Sequence, residues 1–549
     1  MKARRGVPST LKAMVQLAPT LISSGILNVE GNSSAIFSIP QLLARYRFTT
    51  AREVEQAYRI CPNRIALIDD DGTLTFSQLR NDSLTVARHF ASLGINDLRI
   101  GVMARNGRAS IYPLAAKGYV GASIYLLNIG SSPEQLVGCI KRDGINVLVI
   151  DEEFVDRLPT DLTGLHVIVG HREKVSSQRT AELITLDDIV RKPWETADIS
   201  LPTFPKHGSI VLMSSGTTGI PKGVMRKELT APTVLESVLT QVPWRANMTI
   251  QLTGSIFHTW GWACLNIAFG LRCTVITRRK FDPQEALADV QKHKIDAMIS
   301  SPIFLKQFFA VEGQENYDCS SLKFIFSSGH SLSPWLVDAV HERFGKILCN
   351  LYGSTEISAA AIASMEEIAE NPAVAGKICK GTQLVILDDN DNPVGPGVPG
   401  RIFCHNNLSL TGYTDPNIPI PRVGDLVQIG DRGYIAESCY LFVLEPARDD
   451  MIIVGGENVY PRSVEEVLEP MAGIADLYAS GVEDEDMFER IAVWVVRSDS
   501  PEGAALTEDS IRDWVKNNLA EHSIPRDVHF VDSLPRNATG KVIPRMLKP

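Results

Sequence analysis

The chain contains 549 residues, of which 44% are apolar and 21% are charged, and its formal net charge is −10. A chain of this length needs more than one hydrophobic core, and the composition excludes a largely disordered or membrane-embedded protein. The acidic balance argues against a dedicated nucleic-acid-binding protein, because such a protein needs a broad basic face.

The N-terminal segment combines basic residues with an apolar stripe. Basic residues between Lys2 and Lys12 accompany apolar residues that recur at helical spacing from Leu11 to Ile26. Pro19 interrupts the stripe and no small-residue cleavage site follows, so we expect no secretory signal. We favour a helix packed on its own domain, with peripheral membrane contact through residues 1–27 as the alternative. No segment reaches the ~18 uninterrupted apolar residues that a membrane span needs.

Short β-rich runs then alternate with helical patterns. The predicted strands are Leu98–Met103, Asn146–Ile150, His166–Val169, Ile210–Met213, Thr274–Thr277, Ala297–Ser300 and Phe324–Phe326. Helical spacing recurs between them, for example over Ser77–Leu93 and Pro283–His293. Alternation of this kind predicts an α/β fold whose sheets are largely parallel.

The segment Ser209–Val224 carries the first chemical signal. The apolar run Ile210–Met213 leads into Ser214, Ser215, Gly216, Thr217, Thr218, Gly219, and the loop ends at Lys222. Backbone N–H groups, hydroxyls and one ammonium around a single centre are typical of a polyphosphate site. The Gly-Lys-Ser/Thr ending of the common P-loop is missing, so we expect a nucleotide site in a different fold.

A second signal follows another predicted strand, in the run Leu351–Glu356. Tyr352 offers a stacking face, Ser354 and Thr355 offer hydroxyls, and Glu356 offers a hard oxygen ligand for Mg²⁺. The nine cysteines show no C-x-x-C pair or metal-ligand spacing, and their number is odd. Buried thiols in a reduced compartment explain this pattern, so we expect a cytoplasmic protein without a structural zinc site.

The amino-acid composition changes in the last third of the chain. A cluster of Asp, Asn, Gly and Pro at 388–400 predicts short antiparallel strands over 387–434, arranged as a small distorted β-barrel. After Asp449-Asp450 comes an α+β unit with helices at 462–469 and 508–520 and strands near 478–482, 490–497 and 528–531. Thr507 is the expected N-cap of the second helix, whose apolar face is Ile511, Trp514, Val515 and Leu519. We therefore divide the chain into a large domain, 1–448, and a small domain, 449–549.

Together the two motifs resemble the adenylate-forming superfamily, which comprises acyl-CoA synthetases, firefly luciferases and peptide-synthetase adenylation domains. The resemblance covers about residues 45–549. Further matching segments follow in the family's order: Ile256–Gly261, Ser328–Leu332, Ile429–Tyr434, Met451–Pro461 and Pro535–Lys541.

The resemblance implies a two-step reaction with ATP, Mg²⁺ and coenzyme A. Its catalytic residues would be Lys541, Thr355, Glu356 and His258, and Glu356 with Thr217 would hold Mg²⁺. The nucleotide would contact Ser214–Gly219, Lys222, Gly329, Tyr352, Asp431 and Arg448. The small domain would turn about Asp449 between the two steps. This movement would exchange Lys541 for the loop 455–461, which guides the thiol.

The match to the family's pattern leaves one ambiguous assignment and one departure. Asp425 also lies in a Gly-Asp dipeptide, but Asp431 is preferred for the ribose because Gly433-Tyr434 follows it. Before the hinge, Ala447 stands where the family has an arginine, and Arg448 comes one position late. Either a local shift lets Arg448 reach the nucleotide or that contact is lost.

The segment Phe257–Cys264 contains no Asp or Glu to pair an amino acid's ammonium group, which would be costly to bury alone. We therefore expect an apolar acid, preferably a fatty acid, with an aromatic acid as the alternative. The expected pocket residues are Phe257, Trp260, Gly261, Gly329 and Gly353, the glycines leaving room for a chain.

The loop Gly455–Pro461 favours coenzyme A over a carrier protein as the acceptor. Arg278-Arg279-Lys280 is a candidate for its phosphates, although such a run is more often a solvated turn. The alternatives are a ligase that loads a carrier protein and a weakly active acyl-adenylate-binding protein. The oligomeric state stays open.

Overall fold

The computed structural model describes residues 18–549 except 29, 31, 33, 161–162, 175–176, 215–219, 228–232, 310, 331, 333, 447–451, 485–487, 536–541, 543–545 and 548–549. A helical segment at 18–23 precedes the labelled elements. The helices are α1 Ser34–Tyr46, α2 Thr50–Ile60, α3 Phe76–Ser92, α4 Arg108–Val120, α5 Pro133–Asp143, α6 Gln178–Ala181, α7 Leu186–Arg191, α8 Thr233–Gln241, α9 Thr259–Gly270, α10 Pro283–His293, α11 Pro302–Phe308, α12 Pro334–Phe344, α13 Met365–Glu370, α14 Pro461–Leu468, α15 Pro501–Ala505 and α16 Glu508–Asn518.

The strands are β1 Ile65–Asp69, β2 Gly72–Thr75, β3 Arg99–Met103, β4 Ser123–Leu126, β5 Val147–Ile150, β6 His166–Val169, β7 Ile210–Ser214, β8 Lys222–Arg226, β9 Thr249–Leu252, β10 Thr274–Ile276, β11 Ala297–Ser300, β12 Phe324–Ser328, β13 Leu348–Tyr352, β14 Ala361–Ala363, β15 Gly376–Ile378, β16 Gln383–Leu387, β17 Gly400–His405, β18 Gly412–Tyr413, β19 Arg422–Val423, β20 Leu426–Ile435, β21 Tyr440–Pro446, β22 Ile452–Val454, β23 Glu457–Val459, β24 Ile474–Asp484, β25 Phe488–Arg497 and β26 Asp527–Phe530.

Two sheets form the large domain. In one, β4, β3, β5 and β6 run parallel, and β7 extends them before β8 and β18 add antiparallel strands. In the other, β10, β9, β11, β12 and β13 form a parallel core. Strands such as Val147–Ile150 are buried along their whole length, because helices cover both faces of a parallel sheet. This is the α/β architecture that the sequence predicts.

The turn-rich region at 383–446 forms antiparallel strands, as expected. These strands, β16, β17, β20 and β21, continue the second sheet through β15 and β14. Among the described residues the hydrogen-bonded path stays open at β16, so the region curls without closing into the predicted barrel. The continuity brings β20, which carries Asp431, beside the end of the parallel core.

The small domain contains a sheet in the order β23-β22-β25-β24, and β26 pairs with β25. Side chains of β25 alternate between its two faces. Ile491, Val493 and Val495 pack with residues of α14 and α16. Ala492 and Trp494 pack with Leu534 and Val542 on the opposite face.

The helix at 508–518 has the predicted N-cap, since the Thr507 side chain accepts a hydrogen bond from the Ser510 backbone N–H. Its apolar face is narrower than predicted. Ile511, Val515 and Leu519 are buried, whereas Trp514 is 38% exposed and its indole N–H donates to the Val467 carbonyl. No described helix is long and apolar enough to cross a membrane.

Candidate active site

A single cavity of about 2020 Å³ lies where the two domains meet. Its lining includes these residues expected from the sequence: Lys222, His258, Trp260, Gly329, Tyr352, Gly353, Thr355, Glu356 and Asp431. Phe257 and Gly261, which were expected in the substrate pocket, are not part of this lining. Phe257 instead packs in the core of the large domain, with its ring centroid 4.4 Å from that of His258.

The Ser/Thr/Gly loop joins two antiparallel strands. Ser214 ends β7 and pairs with Lys222, which begins β8. Ser215, Gly216, Thr217, Thr218 and Gly219 lie outside the described residues. The Lys222 ammonium lies 5.5 Å from the centroid of the Tyr413 ring. The hairpin thus holds one positive charge at the cavity wall.

Tyr352 and Asp431 connect the two halves of the large sheet. Tyr352 ends the parallel strand β13, and its hydroxyl donates a 2.5 Å hydrogen bond to Asp431 Oδ2 in the antiparallel strand β20. Burial and the Asp431 carboxylate raise the pKa of Tyr352 well above its ordinary value, so the phenol stays a donor. Asp425, the alternative candidate for the ribose contact, is exposed and does not line the cavity.

Glu356 offers a carboxylate to the cavity. Its Oε1 accepts a 3.1 Å hydrogen bond from the Tyr413 hydroxyl. No group of three His, Cys, Asp or Glu side chains among the described residues could hold a metal alone. One carboxylate fits Mg²⁺, because that ion usually combines one or two carboxylates with substrate phosphates and water.

Arg226 is a buried cation at this site that the sequence did not single out. Its guanidinium donates to the Thr355 carbonyl and, at 3.0 Å, to the Leu408 carbonyl. Burial lowers the pKa of Arg226 to about 10, although the nearby Glu356 carboxylate partly opposes this shift. Arg226 is the last residue of β8, so it ties the β7–β8 hairpin to the turn that carries Thr355 and Glu356.

Two of the glycines predicted for the substrate pocket are needed because another backbone segment packs directly against them. A Cβ on Gly353 would lie 2.1 Å from the Ser358 carbonyl oxygen, and one on Gly261 would lie 2.2 Å from that of Ser255. These glycines therefore permit close backbone approaches and do not leave space for a chain as expected. Gly329 differs, because its φ of +99° requires glycine and nothing lies within 4 Å of a Cβ there.

The small domain reaches the cavity through the loop 455–460. Glu457 Oε1 lies 2.8 Å from His258 Nε2, and Oε2 accepts a 2.9 Å hydrogen bond from the Asn128 amide. Burial opposes the charge on each partner, but their mutual attraction outweighs it. The pKa of His258 is raised above its ordinary value and that of Glu457 is lowered to about 2. An ion pair therefore joins the two domains inside the cavity.

Two more small-domain residues lie at this junction. His522 is close enough to Gly130 that a Cβ there would meet the His522 ring at 3.4 Å, and burial lowers the pKa of His522. Phe488 stacks on His330 with ring centroids 4.6 Å apart. No motif in the sequence indicates these contacts, because each forms between segments more than a hundred residues apart.

Several expected residues lie outside the described part of the chain: Lys541, Arg448 with its neighbour Ala447, and the hinge residue Asp449. Around position 541, Leu534 and Val542 pack on Trp494. None of the described residues after 523 lines the cavity.

In the basic run at 278–280, the first two residues, Arg278 and Arg279, form ion pairs with other parts of the protein. Arg278 forms a 2.7 Å ion pair with Asp289, and Arg279 forms ion pairs of 2.8 and 2.9 Å with Asp151 and Glu153. These carboxylates satisfy the guanidinium groups, so the run is not a free phosphate site. All nine cysteines are unpaired, and all except Cys439 are buried.

Two family profiles match the chain. The profile described as "AMP-binding enzyme" matches residues 54–414, and "AMP-binding enzyme C-terminal domain" matches 463–541. The chain belongs to the AMP-binding enzyme family.

Among its relatives, a 2-succinylbenzoate–CoA ligase of Geobacillus sp. (strain WCH70) is 27% identical over 93% of this chain and 97% of its own length. A 3-[(3aS,4S,7aS)-7a-methyl-1,5-dioxo-octahydro-1H-inden-4-yl]propanoyl:CoA ligase of Mycobacterium tuberculosis is 26% identical over 90% of this chain and 97% of its own.

Solved structures share the fold. A double mutant of o-succinylbenzoate CoA synthetase from Bacillus subtilis aligns with a TM-score of 0.76 at 23% identity, covering 90% of this chain and 98% of that one. An amide bond synthetase from Marinactinospora thermotolerans aligns with a TM-score of 0.77 at 22% identity and the same coverage. The large and small α/β domains described above are therefore the architecture of this family.

Proposed function

We propose that the protein activates a carboxylic acid with ATP and Mg²⁺ and transfers the acyl group to the thiol of coenzyme A. One observation carries this proposal: Lys222, Glu356, the Tyr352–Asp431 pair and the small-domain residue Glu457 all meet at one cavity. Family membership and the CoA-ligase names of the relatives support it.

In the first step, the substrate carboxylate attacks the α-phosphorus of ATP and pyrophosphate leaves. Lys222 and the 214–219 loop neutralise the β- and γ-phosphates, Thr355 contacts the α-phosphate, and Asp431 accepts from the ribose hydroxyls. Glu356 and Thr217 would hold Mg²⁺, which would neutralise charge on the phosphate oxygens. Lys541 bridges the carboxylate and the α-phosphate as a flexible point charge.

In the second step, the small domain turns about Asp449 and presents the loop 455–461. Glu457 then pairs with His258, and Asn128 holds the second carboxylate oxygen. This docking excludes water from the acyl-adenylate and leaves the thiol as its attacking group. The thiol sulfur bonds to the acyl carbon, AMP leaves, and the thiol proton is released.

For the acid, we propose a ring-bearing body in preference to the fatty acid expected from the sequence. The relatives' names specify a benzoate derivative and a bicyclic propanoate. Trp260 is held by a 3.0 Å hydrogen bond to the Ser300 carbonyl and by Phe326, whose ring centroid is 4.8 Å away. A fixed indole wall of this kind favours a flat substrate over a flexible chain.

The test is to incubate the enzyme with ATP, Mg²⁺ and a panel of aromatic, polycyclic and fatty acids, with and without coenzyme A. We expect pyrophosphate release followed by a CoA thioester. Pyrophosphate release that never yields a thioester would contradict the CoA-ligase proposal and favour transfer to a carrier protein. No release with any acid would favour a binding protein.

A further inference from the structure

The acyl side of the cavity extends far beyond the site of activation. It follows one face of α9, where Thr259, Ala263, Asn266, Ile267 and Gly270 line it at helical spacing. Eleven residues of helix rise correspond to about 16 Å. The cavity therefore has a near end at His258 and Thr259 and a distal end at Gly270.

Apolar side chains cover the middle of this chamber. They come from α8 and from the N-terminal segment: Ile26, Val234, Leu235, Val238 and Leu239. An apolar body of substrate is what such walls accept.

The distal end is polar. Arg52 and Glu53 of α2 both line the cavity there, and their side chains are only 9% and 6% exposed. Arg52 Nη2 pairs with the Glu53 carboxylate, and Nη1 donates a 2.5 Å hydrogen bond to Gln56 Oε1. A buried ion pair at the end of an apolar chamber costs desolvation energy, so it needs an explanation.

The polar groups around this pair differ in how well they are satisfied. Both polar groups of Asn266 have a partner, since its carbonyl accepts from Thr50 and its amide donates to the Trp262 carbonyl. Arg52 is less well satisfied, because Nε is buried without a hydrogen-bond partner in the described structure. A guanidinium carries five N–H donors. The two hydrogen bonds above and the buried Nε leave one N–H on each of Nη1 and Nη2 for a ligand.

Charge decides what that ligand is. Glu53 already balances Arg52, so a second carboxylate in this water-poor chamber would meet like-charge repulsion from Glu53. A neutral carbonyl oxygen accepts from the guanidinium without adding charge. An alkyl end offers no acceptor and leaves the donors unpaired.

We propose that the Arg52 end of the chamber recognises a neutral oxo group about 16 Å from the activated carboxylate. The preferred substrate is thus a carboxylic acid with an apolar, ring-bearing body and a distal ketone. This inference rests on the proposed acid-activating function. Arg52 acts as a specificity determinant and takes no part in the reaction.

The test compares 4-(8-oxononyl)benzoate with 4-nonylbenzoate, which differ by one ketone. Pyrophosphate release gives kcat/KM for each, and calorimetry gives their binding without ATP. We expect the wild type to favour the oxo acid about tenfold or more, as for one hydrogen bond to a charged donor. The analogue ending in a carboxylate, 4-(7-carboxyheptyl)benzoate, should bind more weakly than the oxo acid.

The informative variant is the double substitution Arg52→Met with Glu53→Met, which removes both charges together and avoids a lone buried carboxylate. We expect the oxo preference to fall to about unity, while kcat/KM for 4-nonylbenzoate stays within about threefold of the wild-type value. Arg59→Met, a charge removal two turns further along α2 and outside the cavity lining, is the control and should keep the preference.

A second variant provides an independent test in case the double variant does not fold. Gly270→Val keeps the pair but fills the distal end, since even a Cβ there would lie 3.0 Å from Glu53 Oε2. It should weaken binding of both long acids far more than binding of unsubstituted benzoate, which does not reach the distal end. An unchanged oxo preference in the double variant, or none in the wild type, would overturn the proposal. Calorimetric preference without any pyrophosphate release would instead retain the distal site and refute the acid-activating function.

Discussion

The loop 455–460 and the residues Leu534 and Val542, which flank position 541 in the sequence, belong to the same small domain but occupy different surroundings. The loop lies in the cavity, where Glu457 meets His258. The residues that flank 541, Leu534 and Val542, pack on the far face of β25 against Trp494. The loop and these flanking residues both pack on the sheet of the small domain, so we propose that bringing Lys541 to the cavity requires the whole domain to turn. The structure therefore corresponds to the arrangement that we propose for thioester formation.

The largest expected effect that would test this contrast comes from Lys541→Ala. Removing the cation proposed to stabilise the α-phosphate should lower adenylation about 10³-fold. Thioester formation from supplied acyl-AMP should change little, because Lys541 is proposed to act only in the first step. Pyrophosphate release and acyl-CoA formation measure the two steps separately. Lys516→Ala, an exposed position on α16, is the control. Equal loss of both steps would refute the division of roles.

Glu457→Gln should give the reverse pattern with a smaller effect. The substitution leaves His258 without its anionic partner in the cavity, so docking of the loop weakens. We expect thioester formation from supplied acyl-AMP to fall about 10- to 100-fold and adenylation to fall less than threefold. The exposed Glu469→Gln should alter neither step. If adenylation suffered more than thioester formation, the loop would belong to the first step.

The smallest expected effect is a pH dependence of docking. The pKa of His258 is raised because the attraction of Glu457 outweighs burial, and the pKa of Glu457 is lowered to about 2. The pair is therefore complete at pH values below the raised His258 pKa and is lost as the pH rises through it. Burial lowers the pKa of the neighbouring His522, which keeps that ring neutral near neutral pH.

Small-angle scattering from about pH 6 to about pH 10 would measure this effect. We expect the docked fraction to fall a few-fold as the pH rises, and Glu457→Gln to remove the dependence. Docking that strengthens toward alkaline pH would contradict the assignment of the ion pair.

The sequence predicted the elements whose signals are local. The strands His166–Val169 and Ala297–Ser300 and the helix Pro283–His293 have the predicted bounds, because each is framed by its own apolar run, cap or breaker. The proposed nucleotide side of the cavity also follows from motifs. Tyr352 ends a strand, Glu356 lies in the turn that follows it, and Asp431 lies within another strand of the same sheet.

What the sequence missed depends on contacts between distant segments. From the sequence alone Arg226 looks like a surface cation, but in the structure it is buried at the end of β8 against the turn that carries Thr355. From the sequence alone Arg52 and Glu53 look like part of an exposed helix face, but in the structure α9 packs against α2 and both side chains are buried. Gly261 and Gly353 suggest open space by their size alone, and only the carbonyls of Ser255 and Ser358 show that backbone occupies it.

The cysteines give the molecule a built-in attachment point for a spectroscopic label. Eight thiols are buried, whereas Cys439 is exposed in the turn between β20 and β21 of the large domain. A maleimide dye should therefore modify the native enzyme at one position, outside the cavity lining. The wild-type protein, labelled at Cys439, would then report each rotation of the small domain as a change in fluorescence.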